Sequence, residues 1–217
     1  MPSDLFSDLA AEHEERLELA PEAVLLRGAV KAGSSELFAA IMEAARVSPF
    51  RHMAVRGGFR MSVAMTNCGY LGWTSDEKGY RYSTLDPETG KPWPAMPPSF
   101  AEVASRCATL AGFPDFEPDA CLINRYRPDA RMTLHQDKNE VDMSQPIVSV
   151  SLGLPATFLF GGMTRKERPR RIRIESGDVV VWGGAARLTY HGIAALAEGD
   201  HPLTGPFRYN LTFRKAG

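Results

Sequence analysis

Cysteine is scarce in this chain of 217 residues: Cys68, Cys107 and Cys121 stand singly. An odd count without metal or disulfide spacing argues against a stapled secreted scaffold and points to a reducing compartment. Cys107 and Cys121 fall in apolar stretches and are expected in the core. No run of about 18 apolar residues occurs, so no membrane-spanning helix is expected. The N-terminus is acidic rather than basic and then apolar, which argues against a secretory signal. The expectation is a soluble cytoplasmic monomer, with no membrane association and no obligate protein partner. Internal repeats and low-complexity linkers are absent as well, so a repeat array is not expected.

Excess charge of one sign is also missing, the net charge being −1, but its distribution is uneven. Residues 1–22 carry seven acids (Asp4, Asp8, Glu12, Glu14, Glu15, Glu18 and Glu22) against Arg16 alone, leaving the rest of the chain at +5. A mildly basic body permits nucleic-acid binding without requiring it. The acidic leader reads as a solvated helix. The expected organisation is an acidic extension over 1–22, helices and a recognition lid over 23–115, and a core over 116–217, with 23–217 forming one globular unit.

Val24-Leu25-Leu26 reads as a strand. A helix is predicted over 35–46, with serines at its start and Pro49 beyond its end. A second is predicted over 100–110, with Ser99 and Glu102 as a capping box and Gly112 and Pro114 as its stop. Between them, Arg56 to Pro98 is rich in Gly, Tyr and Pro, with short strand candidates at 62–66 and 80–83; such loops commonly carry recognition. From Ala120 onward the character is β: 121–126, 131–135, 147–153, 157–160, 171–175, 179–182 and 207–213. The fold class is therefore mainly β with flanking helices (α+β), its short punctuated strands arguing for a barrel or double-sheet jelly roll.

His135 and Asp137 lie two apart in a predicted strand and so share one face of a sheet. His191 lies in what reads as a turn, Tyr190-His191-Gly192. Two histidines and a carboxylate match the facial triad of non-haem Fe(II) oxygenases, although His-x-Asp alone is a weak signal. Arg208, Asn210, Thr212 and Arg214 alternate with Tyr209, Leu211 and Phe213, so the four polar residues share a face. Taken alone that pattern fits a solvent-facing strand, yet two guanidiniums and an amide also match the two carboxylates of 2-oxoglutarate. Asn124 and Tyr126 offer further polar contacts from a second strand.

The segments 122–126, 134–138, 179–184 and 208–214 resemble those of the AlkB family of alkylated-DNA dioxygenases. Ser62 to Gly69 and Leu71-Gly72-Trp73-Thr74 resemble that family's nucleotide-recognition lid. The resemblance runs from about Val24 to Lys215 and implies a double-stranded β-helix (jelly-roll) core holding Fe(II) through His135, Asp137 and His191. It implies 2-oxoglutarate bound by Asn124, Tyr126, Arg208, Asn210 and Arg214, with O2 as the other co-substrate. The implied reaction is oxidative demethylation of bases such as 1-methyladenine and 3-methylcytosine in single- or double-stranded DNA, with RNA as the alternative substrate, releasing formaldehyde, succinate and CO2.

On the same resemblance the flipped base lies between Trp73 and His135, with Tyr80 and Tyr82 at the nucleotide backbone or rim and Arg165 nearby. Met61 and Met65 could line the pocket, though methionines at that spacing usually belong to a core. The run Arg165-Lys166-Glu167-Arg168-Pro169-Arg170-Arg171-Ile172-Arg173 joins two predicted strands and is expected to track phosphates, the alternative being a solvated hairpin. Two positions depart from the family pattern. Asn139 stands where an acidic, base-facing residue is usual, and Phe59 where the lid carries tyrosine. Two rival readings are an oxygenase of the same chemistry acting on a protein or small molecule, and a nucleic-acid-binding β-barrel without catalysis.

Overall fold

The computed structural model describes residues 15–55 and 57–217. The chain runs β1 (Arg16–Ala20), β2 (Ala23–Leu26), α1 (Ser34–Val47), β3 (Ala64–Gly69), β4 (Gly72–Asp76), β5 (Gly79–Ser83), α2 (Pro98–Leu110), β6 (Ala120–Tyr126) and β7 (Met132–His135). It continues through β8 (Ile147–Gly153), β9 (Ala156–Phe160), β10 (Arg170–Ile174), β11 (Val179–Trp182), β12 (His191–Ile193) and β13 (Arg208–Arg214). A seven-stranded sheet, β1-β2-β11-β8-β13-β6-β3, faces a four-stranded sheet, β10-β9-β12-β7, and β4 with β5 forms a separate hairpin. This is the jelly-roll core that the sequence predicts.

Period-two alternation explains why the large sheet has two covered faces. In β2, Val24 and Leu26 pack in the cluster that includes both helices, while Leu25 packs in the cluster that includes the smaller sheet. In β13, Tyr209, Leu211 and Phe213 join the helix-side cluster. The helices present complementary stripes: Leu37, Ile41 and Ala44 from α1, and Phe100, Val103, Ala104, Cys107 and Ala108 from α2. All three cysteines are buried and lie outside any disulfide.

Several sequence expectations are corrected. Where the acidic leader is described, Arg16–Ala20 is not helical but an edge strand antiparallel to β2; residues 1–14 lie outside the described residues. The Ser99–Glu102 capping box does not form, because α2 starts at Pro98 with Pro97 as its N-cap. Proline suits the first helical position, and its use there moves Ser99 inside the first turn, past the capping place. The serines before α1 do not cap it either: Gly33 is the N-cap, and the Ser34 hydroxyl donates to the Val30 carbonyl at 3.0 Å. Gly72–Asp76 is a further strand, and His191 begins strand β12 rather than lying in a turn.

β12 is only three residues long and owes its existence to its neighbours, since it pairs with β7 on one side and β9 on the other. Gly192 permits that close approach: a Cβ there would lie 2.5 Å from the Met132 carbonyl oxygen of β7. Gly192→Ala should therefore push β12 off β7 and destabilise the fold by about 1–3 kcal/mol, as overpacking does elsewhere. Chemical denaturation would show this as a lower midpoint with an unchanged slope.

Candidate active site

The register of the smaller sheet sets His191 opposite His135 on adjacent strands. Asp137 lies just past the end of β7 rather than within it, yet the loop returns its carboxylate between the two rings. Its Oδ1 lies 3.6 Å from His135 Nε2 and its Oδ2 3.7 Å from His191 Nε2. One ligand atom from each residue can be chosen so that all three fall within 4.8 Å of one another.

The tautomers suit a metal. Nδ1 of His135 lies 2.9 Å from the Thr133 carbonyl and Nδ1 of His191 lies 3.0 Å from the Thr189 carbonyl. A carbonyl only accepts, so each Nδ1 carries the proton and each Nε2 lone pair faces Asp137. Burial, then the neighbouring His135, pushes the His191 pKa down to about 4, which keeps it a neutral ligand. Burial alone would raise the Asp137 carboxyl, but Arg214, His191 and His135 together hold it well below the usual carboxylate range. Arg214 makes the main contribution, its Nη2 donating to Asp137 Oδ2 at 2.6 Å and its Nε to the same oxygen at 3.1 Å. The donor set, two imidazoles and an ionised carboxylate, fits a divalent first-row metal.

Beside the triad, β13 lines a recess of about 50 Å³ with Arg208, Asn210, Thr212 and Arg214. All four are buried, so the solvent-facing alternative for this strand does not hold. Antiparallel pairing with β6 sets Asn210 opposite Asn124 and Arg208 opposite Tyr126. The Asn124 amide donates to Asn210 Oδ1 at 3.2 Å, and Asn210 Nδ2 donates to the Val150 carbonyl at 2.9 Å. Arg208 is 1% exposed, sits 4.9 Å above the Tyr126 ring centroid, and donates through Nη2 to Ser151 Oγ at 3.0 Å. Its Nε and Nη1 have no partner, nor has Asn124 Oδ1. A buried guanidinium with N–H groups unused carries a full desolvation cost, which an anionic ligand in the recess would relieve.

A wider cavity of about 480 Å³ shares Leu122, Met132, His135, Asp137 and Arg214 with the recess, so His135 and Asp137 stand where the two meet, with His191 on the recess side. Met61 and Met65 line it, as do Trp73, Tyr80 and Asn139. Trp73 is fixed from behind: buried Asn67 accepts from the Trp73 backbone N–H and donates to its carbonyl, both at 3.0 Å. Its ring stacks on Tyr80 at 5.3 Å between centroids, and its Nε1 lies 3.5 Å from Asn139 Oδ1.

Other predicted residues fall elsewhere. Tyr82, expected at the nucleotide backbone or the rim, donates its hydroxyl to buried Glu140 at 2.6 Å. Arg165 is exposed on the β9–β10 hairpin, outside the cavity lining, and Phe59 is 76% exposed. Of the basic run, Arg170 is engaged by the Leu19 carbonyl and Arg173 by Glu175. Arg165, Lys166, Arg168 and Arg171 have no carboxylate partner among the described residues. Sequence reasoning missed Glu140 and Arg187, whose ion pair is buried and spans 47 residues of sequence. It also missed Arg60 and Arg131 in the cavity lining. Only the basic character of the last two offered a signal.

A family model described as the 2OG-Fe(II) oxygenase superfamily matches residues 22–214. The alpha-ketoglutarate-dependent dioxygenase AlkB of Escherichia coli (strain K12) is 58% identical over 214 residues, covering 99% of this chain and 98% of that protein. The DNA N(6)-methyladenine demethylase ALKBH1C of Arabidopsis thaliana is 31% identical over 171 residues, 67% of this chain and 38% of its own. The solved structure of OsALKBH1 superposes with a TM-score of 0.82 at 28% identity, covering 93% of this chain and all of that one (100%).

The geometry generates two predictions. His135→Ala, Asp137→Ala or His191→Ala should each abolish stoichiometric Fe(II) or Mn(II) binding under anaerobic conditions; metal titration with full retention in any of them contradicts the ligand set. Arg208→Ala should weaken 2-oxoglutarate binding roughly ten- to hundredfold, the value of a charge-assisted hydrogen bond of about 1.5–3 kcal/mol. Co-substrate titration of the Mn(II) protein measures this directly.

Proposed function

The chain belongs to the AlkB family of the 2OG-Fe(II) oxygenase superfamily, and from that premise we propose that it removes N-alkyl groups from nucleic-acid bases by oxidation. The observation that carries this reading is the meeting point itself: an aromatic-walled cavity and an anion-seeking recess share His135 and Asp137, and His191 completes the cluster from the recess side.

In this proposal His135, Asp137 and His191 hold Fe(II), and Arg208 takes the distal carboxylate of 2-oxoglutarate through the N–H groups it leaves unused. Arg214 holds Asp137 ionised and stands next to the co-substrate, while Asn124, Tyr126 and Asn210 complete the walls. Fe(II), when bound with 2-oxoglutarate and O2, supplies the oxidation that hydroxylates the substrate N-methyl group while 2-oxoglutarate leaves as succinate and CO2. The resulting N-hydroxymethyl group breaks its C–N bond, giving formaldehyde and the repaired base.

The residues of this chain bind and orient. A base methylated on its Watson–Crick edge pairs poorly and is cheap to flip out of the stack. The Trp73 ring, braced by Asn67 and Tyr80, offers it a π-face, and His135 stands within the same cavity. 1-Methyladenine and 3-methylcytosine, both cationic, suit that stacking. Arg165, Lys166, Arg168 and Arg171, with no carboxylate partner among the described residues, lie on one hairpin, where they could follow a phosphate backbone. The substrate is DNA or RNA; the name borne by the Arabidopsis relative supports DNA. The test is formaldehyde release and mass loss on methylated oligonucleotides, and turnover of protein or small-molecule candidates alone would overturn the reading.

Asn139 generates the prediction specific to this chain. Indole Nε1 only donates, so the Asn139 oxygen faces Trp73 and its amide nitrogen is left for the base. A carboxylate at that position would accept from the indole and also attract a cationic ring. Asn139→Asp should therefore shift the ratio of kcat/KM on 1-methyladenine over neutral ethenoadenine upward by about tenfold, some 1.4 kcal/mol. The ratio in one oligonucleotide at one salt concentration cancels folding and iron loading; no change, or movement toward ethenoadenine, contradicts the assignment.

A further inference from the structure

Behind the cavity, Tyr82, Glu140 and Arg187, which the demethylation chemistry does not use, join Asp137 and Arg214 in a closed network of four charged side chains and a phenol. Glu140 accepts from Tyr82 Oη at 2.6 Å and from Arg187 Nη2 at 3.0 Å, and its Oε1 lies 3.4 Å from Arg214 Nε. Arg187 donates through Nη1 to the Asp137 backbone carbonyl at 2.7 Å and through Nε to the Gln145 carbonyl at 3.0 Å. The side chains of Glu140 and Arg187 are 2% and 3% exposed. Two carboxylates, Asp137 and Glu140, balance two guanidiniums, Arg187 and Arg214, so the group is neutral as a whole and intolerant of losing any one member.

What the network joins is informative. Tyr82 lies directly across the β4–β5 hairpin from Trp73. Thus β4 and β5 contribute Trp73 and Tyr80 to the cavity wall, and β5 is also tied to Glu140 through Tyr82. Glu140 lies three residues beyond the metal-ligand candidate Asp137, and Arg187 four residues before His191. Arg214 is shared between Asp137, at 2.6 Å, and Glu140, at 3.4 Å.

We propose that Tyr82, Glu140 and Arg187 are positioning residues forming a joint through which occupancy of the 2-oxoglutarate recess is felt by the nucleotide-binding hairpin. The proposal rests on the reading that the co-substrate sits against Arg208 and Arg214. A carboxylate arriving beside Arg214 competes for that guanidinium and draws it from Glu140. Glu140 then depends more fully on Tyr82 and Arg187, and the Tyr82 bond that holds the hairpin over the cavity tightens. Coupling of this kind is reciprocal: 2-oxoglutarate raises affinity for the methylated strand, and the strand raises affinity for 2-oxoglutarate by the same factor.

The test is calorimetric titration of 2-oxoglutarate into Mn(II)-loaded protein under argon, with and without a saturating oligonucleotide containing 1-methyladenine. The ratio of the two dissociation constants is the coupling factor. It should be about fivefold or more in the wild type, and should fall to about one in Tyr82→Phe, which removes only the hydroxyl. As a ratio it is unaffected by a change common to both titrations. A second readout needs no oligonucleotide: amide exchange across 72–83 should slow when 2-oxoglutarate binds the wild type and should not respond in Tyr82→Phe. A wild-type factor near one, or an undiminished factor in Tyr82→Phe with an unchanged exchange response, overturns the joint. Failure of the wild type to bind 2-oxoglutarate at all overturns the underlying assignment of the recess, and the joint with it.

Discussion

Burying two guanidiniums on one strand is expensive, and much of this molecule can be understood as the answer to that expense. β13 runs through the middle of the large sheet with Arg208 and Arg214 on its inward face. A charge taken out of water must be paired, hydrogen-bonded or left waiting for a ligand. Arg214 is paired, by Asp137 and Glu140 together, and its guanidinium stays protonated despite burial because those carboxylates face it. Arg208 is only partly served, by Ser151 and the Tyr126 ring. The asymmetry separates a group that organises the protein from one kept for a visitor.

The same constraint explains the ionisation of the triad. Asp137 is held as a carboxylate by Arg214, and the histidines are held in one tautomer by their own backbone carbonyls. The donor atoms are thus arranged before any ion arrives, so metal binding need not reorganise the site. On the opposite wall, Asn67 plays the equivalent part for Trp73, gripping its backbone from both sides. Rigid backing on both walls suits a cavity that must hold a flipped base still.

How far this was legible in the sequence depends on whether the information was local. The alternation in β13 is local, and so is the spacing of His135 and Asp137; both were readable, even though Asp137 turned out to lie beyond its strand. β12 was not readable, because three residues are too few for a pattern and its extended form is imposed by β7 and β9. The leader's strand was missed for a related reason: acids at 15, 18 and 22 suggested a solvated helix, while pairing with β2 decided otherwise. Glu140 and Arg187 were invisible in a stronger sense. A glutamate and an arginine are ordinarily surface residues, and only the folded chain brings these two together out of water. Tyr82 was noticed for its ring, whereas its hydroxyl and that buried glutamate govern where it goes.

The position of β13 in the chain has a consequence for biosynthesis. Its partners β6 and β8 are made long before it, and they border it on both sides in the finished sheet. Until Arg214 has left the ribosome, each of those strands carries an open edge of unpaired N–H and C=O groups beside apolar neighbours such as Ile123 and Val150. Such edges recruit other strands indiscriminately. From the completion of β6 to that of β13 the nascent protein is therefore in a sticky, unclosed form, in which shielding by a holdase would matter more than for a fold whose central strand is translated first.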